Sequence, residues 1–123
     1  MGRKTKVLVV EDEVIVAQYI RMELEASGYE VCGFVATGEE AIQKAKQELP
    51  DLILMDIHLA GRTDGIEAAQ KILEHRKIPI IFMTGYSQKE FAVREKNLNP
   101  TRFLSKPVDV DKIITTFEVL RGQ

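Results

Sequence analysis

The sequence predicts one α/β domain built on a five-stranded parallel sheet, and three observations lead there. Short apolar runs alternate with longer segments of helical period, five times along the chain. The runs are apolar along their whole length, the pattern of strands covered on both faces. The 123 residues, 45% hydrophobic and 29% charged, suit one soluble domain with one continuous core. No linker, repeat or low-complexity tract divides the chain, so this doubly wound (βα)5 domain is expected to span residues 1–123.

Val7–Val10 is the first expected strand. Val16, Ile20 and Leu24 then recur every four residues, with Ala17 beside them, and Gly28 supplies the stop of a first helix. Glu30–Val35 follows as a strand, and Ala41, Ile42, Ala45 and Leu49 mark a second helix that Pro50 ends. Leu52–Met55 is the third strand, and Ile66, Ala69 and Leu73 the apolar face of the third helix. Ile78–Met83 is the fourth strand. Phe91, Ala92 and Leu98 give a weaker fourth helix before a strand at Arg102–Leu104. Val110, Ile113, Ile114 and Phe117 line the last helix.

Composition removes several classes of function. Seventeen basic against nineteen acidic residues leave a net charge of −2, so no nucleic-acid footprint is present and no direct nucleic-acid partner is expected. The basic start "GRKTK" is too short for more than a solvated terminus. A single cysteine, Cys32, excludes an internal disulfide and suits a buried, reduced thiol. No apolar run reaches membrane-span length and no signal peptide precedes "VLVVED", so a cytoplasmic protein without membrane contact is expected.

The run "LILMD" ends four apolar residues on Asp56. An unpaired carboxylate in a core is heavily penalised or takes a proton, so Asp56 either marks where the core stops or has a strong partner. In open parallel sheets the ligand site lies beyond the carboxyl ends of the strands. Those ends carry Glu11-Asp12-Glu13, Asp56, Thr84-Gly85 and Ser105-Lys106-Pro107. Crowded carboxylates must protonate or recruit a cation, and a hard divalent ion with oxygen ligands is the natural remedy. Lys106 adds a point charge suited to phosphate and Thr84 a hydroxyl donor. An aspartate beside a metal and a lysine is equipped to attack phosphorus.

Each fragment alone has an ordinary explanation. Acidic residues favour the first helical turn, Lys-Pro after a strand is commonly a turn, and Thr-Gly can cap a helix. His58 has no His/Cys set around it and reads as a loop histidine. "GRTDG" lacks the features of a phosphate cradle and reads as a flexible loop.

Taken together and in order, "VVEDE", "LILMDIHLAGRTDG", "IIFMTG" and "FLSKP" closely resemble the response regulator receiver domain over essentially the whole chain. The resemblance implies the flavodoxin-like strand order 2-1-3-4-5 documented for a chemotaxis member of the family. It makes Asp56 the phosphoacceptor, with Glu11, Asp12 and the backbone carbonyl of His58 completing a site for Mg²⁺ or Mn²⁺. Thr84 becomes the switch hydroxyl, Lys106 the phosphate-pairing lysine and Phe103 the aromatic switch. Lys106-Pro107 matches a peptide bond that is usually cis in the family. A sensor histidine kinase or phosphotransfer protein would donate the phosphoryl group. The fourth helix, fifth strand and fifth helix would form the face read by an unidentified output protein or domain, with a homodimer on phosphorylation a further possibility. The chain would promote its own phosphorylation and dephosphorylation without turning over an external substrate.

Three departures stand out. Ala60 replaces a usual proline, the loop before Asp64-Gly65 is one residue longer, and "NLNPTRF" precedes the aromatic position. A freer loop after Asp56 is the expectation. Lys106 is expected at a wet sheet edge, where losing one charge costs about 0–1 kcal/mol. Two other functions compete. An aspartate-nucleophile phosphohydrolase would want Asp-x-Asp, whereas the chain has Asp56-Ile57-His58; a phosphate-free scaffold would not need the charged cluster.

Overall fold

In the computed structural model, which describes residues 3–85 and 101–122, five strands form one sheet. They are β1 (Lys6–Val10), β2 (Glu30–Val35), β3 (Leu52–Asp56), β4 (Ile80–Thr84) and β5 (Thr101–Ser105). Every pairing is parallel and the order is β2-β1-β3-β4-β5, as expected. Four helices lie among the described residues: α1 (Val14–Ala26), α2 (Gly38–Glu48), α3 (Gly65–His75) and a C-terminal helix (Val110–Arg121). The weak helix expected around Phe91, Ala92 and Leu98 lies outside the described residues.

The apolar runs separate into two cores because alternate strand residues face opposite sides. Leu8, Val10, Ile53, Met55, Ile80 and Phe82 face α2 and α3. Val7, Val9, Leu52, Leu54, Ile81 and Met83 face α1 and the C-terminal helix. Covered on both sides, β3 is buried from end to end.

Local signals set the helix ends. Thr37 accepts from Glu40 N at 3.1 Å at the start of α2, and Asp109 accepts from Asp111 N at 2.8 Å at the start of the C-terminal helix. Asp64 and Glu67 form a reciprocal capping box on α3, at 2.9 and 3.0 Å. α1 ends where Gly28 turns to a φ of +93° and Tyr29 N reaches back to Leu24 O at 3.0 Å, the stop expected of Gly28.

Three positions differ from the sequence reading. β4 starts at Ile80, not Ile78, because Pro79 has no N–H to give the ladder; its carbonyl still accepts from Ile53 N at 3.1 Å. Leu49, expected on the buried face of α2, is 55% exposed: it is the C-cap, in the left-handed region at φ 49°, and the turn before Pro50 swings its side chain off that face. Cys32 is half-buried instead of buried. It is the extra residue of a bulge in edge strand β2, where Val7 pairs with Val31 but Leu8 with Gly33. Burial still pushes its thiol pKa up.

A clasp closes the amino edge of the sheet. Arg3 donates two hydrogen bonds of 2.7 Å to Asp51, whose Oδ2 also accepts from Lys6 N at 2.8 Å. Leu49 is the weak point nearby, since a left-handed β-carbon costs energy and this side chain recovers little burial. Leu49→Gly is therefore expected to raise stability by about 0.5–1 kcal/mol in urea unfolding, with an unchanged m-value.

Candidate functional site

Register brings the predicted residues to one place. β1 pairs Val10 with Met55, so Glu11 follows on level with Asp56. β3 pairs Asp56 with Met83, and β4 pairs Thr84 with Ser105. Glu11, Asp56, Thr84 and Lys106 therefore stand in a row where the sheet ends.

Of the two possibilities open for Asp56, the structure selects the strong partner. Asp56 is the last residue of β3, 4% exposed, and Lys106 Nζ donates to its Oδ2 at 3.0 Å. Its Oδ1 accepts from the His58 N–H at 3.2 Å. The same ammonium stands 2.8 Å from Glu11 Oε1, and Glu11 is as deeply buried as Asp56. That second contact is a close, charge-assisted one to a buried oxygen, so one ammonium serves both carboxylates. Glu11 Oε2 accepts from Glu13 N at 3.1 Å.

Lys106 is held on the sheet by its own N–H, which donates to Thr84 O at 2.8 Å, and the Lys106–Pro107 peptide is cis. Burial alone would lower the Lys106 pKa, but the hydrogen bonds and charges of Glu11 and Asp56 outweigh it and raise the value. Thr84 is buried at the end of β4. Phe103 pairs with Phe82 across β4–β5 and is half-buried against the core on the α2–α3 side. The His58 side chain is exposed, and only its peptide reaches Asp56.

Asp12 is exposed, yet it offers an oxygen to the same space. One carboxylate oxygen each from Glu11, Asp12 and Asp56 lies within 4.8 Å of the others. Among the described residues, three carboxylates against the one ammonium of Lys106 leave this corner net negative. An oxygen-rich, under-neutralised pocket is what a small divalent cation such as Mg²⁺ requires, so the residues fit the metal they were expected to hold.

The stretch "GRTDG", read as a loop, has two residues with defined structural roles. Its Asp64 caps α3, and a Cβ on Gly65 would overlap the carbonyl of Asp56, so only glycine lets the helix start this close to the site. Gly65 N donates to Ile57 O at 2.8 Å. The loop that lacks the usual proline also meets α2: Ala60 bridges to Thr37, and the Thr63 hydroxyl donates to Glu39 Oε2 at 3.1 Å. The Asp64-x-x-Glu67 spacing was the signal available in the sequence. The contacts to α2 left none, because they join segments distant along the chain.

With this geometry in view, comparison with known proteins is decisive. The model of the response regulator receiver domain matches residues 7–118. The chain belongs to the response regulator receiver family. Among relatives of this receiver, the transcriptional regulatory protein PdtaR of Mycobacterium tuberculosis is 33% identical over 93% of the chain and 55% of its own length. ResD of Bacillus subtilis, also a transcriptional regulatory protein, is 32% identical over 95% of the chain and 48% of its own. The receiver thus spans about half the length of these regulators. Among solved structures, the signal receiver domain of a modulated diguanylate cyclase from Desulfovibrio desulfuricans G20 superposes with a TM-score of 0.88 at 38% identity, covering 98% of this chain and 95% of that one. A CheY-like receiver domain protein from Methanospirillum hungatei JF-1 does so with 0.85 at 27% identity, covering 98% of both chains.

The geometry revises the cost of losing Lys106. Solvent is near, as the sequence suggested, but both partners are buried, so removing the ammonium strands two carboxylates and not one surface charge. Lys106→Met is expected to lower stability by about 1–3 kcal/mol at neutral pH in chemical denaturation. The sign of the pH dependence follows from the raised pKa. The wild-type advantage is complete below the ordinary lysine value and disappears as pH rises through the elevated folded-state value.

Proposed function

We propose that this receiver is a phosphoryl-operated switch in which Asp56 accepts a phosphoryl group from a sensor histidine kinase or a phosphotransfer protein. The observation that carries the reading is the single ammonium of Lys106 bridging buried Glu11 and Asp56 at 2.8 and 3.0 Å, with Asp12 beside them. Burying such a cluster costs stability that a purely structural edge has no reason to spend.

An Asp56 carboxylate oxygen attacks the phosphorus of a phosphohistidine. The new O–P bond forms as the P–N bond breaks, and the electron pair stays with the imidazole. Glu11, Asp12, Asp56 and the His58 carbonyl would hold Mg²⁺ or Mn²⁺, which when bound offsets the charge of the incoming phosphoryl oxygens. Lys106 exchanges part of its hold on Asp56 for a phosphoryl oxygen. The Thr84 hydroxyl donates to another, and Phe103 follows into the space that Thr84 leaves. The affected surface is β5 with the C-terminal helix and the segment that precedes β5 in sequence, the face assigned to an output partner or a second copy. Hydrolysis of its own acyl phosphate resets the switch without turnover of an external substrate, and a cytoplasmic setting suits such a donor. No helix among the described residues is long and apolar enough to cross a membrane.

The donor has a surface to meet. Ile15, Tyr19 and Met22 form an exposed apolar stripe on α1, 82%, 52% and 68% accessible, that begins just after the acidic pair. We assign it to the phosphodonor.

The central test is intact mass after incubation with acetyl phosphate. One added phosphate is expected with Mg²⁺, almost none with EDTA, and none for Asp56→Asn in either condition. Equal labelling of wild type with and without the metal would remove the cation from the mechanism. Ile15→Asp separates donor docking from chemistry: transfer from a cognate phosphohistidine protein should slow at least tenfold, on the order of one lost interface anchor, while labelling by acetyl phosphate stays at the wild-type rate.

A further inference from the structure

We infer that Glu39, in the first turn of α2, is a positioning residue for the phosphorylation site, holding from its far side the loop that runs between Asp56 and Gly65. This role rests on the switch reading above.

The loop is fixed at its neck by the site itself. It leaves the sheet at Asp56 and returns at Gly65, where the Gly65 N–H closes onto Ile57 O at 2.8 Å and no Cβ would fit. Its far end, Ala60 to Arg62, is exposed and would lie in solvent without an anchor. Glu39 is that anchor. Its Oε2 accepts from the Thr63 hydroxyl at 3.1 Å, and its Oε1 sits so near Gly61 that a Cβ there would come within 3.3 Å. The Glu39 carboxyl is held below its ordinary range by its own N–H first, then by the Thr63 hydroxyl, with the Thr63 and Arg62 N–H groups adding to the pull. The turn Gly61–Thr63, with Gly61 at φ +89°, thus lies against an exposed carboxylate supplied by another element and is hydrogen-bonded to it through Thr63.

Two further contacts seat α2 on the loop. Thr37 bridges to Ala60, and Gly38 lies so close that a Cβ would come 2.6 Å from Thr63 O. An acidic residue in a first helical turn ordinarily needs no more explanation than the helix dipole. Here the two neighbouring glutamates divide the work. Glu40 Oε1 accepts from Ala36 N at 3.3 Å and from the Thr37 hydroxyl at 3.1 Å, which tends the helix start and leaves Glu39 to the loop. Between anchor and neck lie His58, whose N–H is on Asp56 Oδ1, and half-buried Leu59. The His58 peptide lies between these two tethers, and its carbonyl is the cation ligand proposed above. Glu39 therefore sets how far that ligand is in place before the cation arrives, a role of supporting residues around metal sites generally.

The test uses the full chain as wild type, Glu39→Ala, Glu39→Gln and Thr63→Val. Three quantities are read: hydrogen exchange at the Arg62 and Thr63 amides, Mg²⁺ affinity by chemical-shift titration, and the acetyl-phosphate labelling rate at limiting and saturating Mg²⁺. Glu39→Ala should exchange faster at both amides and bind Mg²⁺ about three- to tenfold more weakly, the size of one or two exposed hydrogen bonds. Its labelling should be slow at limiting Mg²⁺ and recover at saturation, which a general loss of fold would not do. Glu39→Gln, which keeps an acceptor oxygen, and Thr63→Val should fall between. Wild-type Mg²⁺ affinity in Glu39→Ala overturns the positioning role, whatever the amides do. A wild-type chain that takes up neither Mg²⁺ nor phosphate overturns the switch reading itself, and this role with it.

Discussion

One ammonium keeps two buried carboxylates together at the carboxyl edge of the sheet. Glu11 and Asp56 are buried, and the charge that Lys106 brings from the end of β5 offsets the cost of placing two carboxylates there. Lys106 can reach them because the strands end in step and because its own N–H is tied to Thr84 O. The chemistry of the edge is thus a product of strand register, and register is a product of the two apolar cores. Slipping a parallel strand by one residue would turn its core side chains to the opposite face and carry the charged end out of reach.

The same corner is short of positive charge by design of its residue types. A lysine that fully neutralised the pocket would leave nothing for a cation to do, and a pocket without lysine would not hold its carboxylates in the apolar edge. One ammonium shared between two buried carboxylates, with a third carboxylate beside them, is the visible sign of this intermediate state. Polar groups left incomplete in a well-packed protein are concentrated where binding completes them.

Much of the fold was legible because strand burial writes itself into composition. Leu52–Met55 and Val7–Val10 could hardly be anything but central strands once helical periods were found on either side. The residues of the site were legible for a related reason, since charge at the end of an apolar run is conspicuous. What stayed hidden was governed by geometry without a residue-type signature. Leu49 carries an apolar side chain into a left-handed turn, where its type suggests burial and its backbone denies it. Gly65 is required by the approach of a carbonyl from β3. Nothing in "TGEE" points to "GRTD" until the chain is folded, yet these segments lean on each other across the sheet end.

The bulge at Cys32 bears on how copies of this chain can meet. An edge strand with an even ladder is an open template for another strand. β2 breaks that ladder after two residue pairs with β1, and the Lys44 side chain lies over Gly33, close enough that a Cβ there would come within 2.9 Å of it. A kinked border is a poor template for another strand, which works against ribbon-like aggregation along that side. Any encounter between copies is thereby steered toward surfaces made of side chains instead of bare backbone, where sequence can decide which partners are accepted.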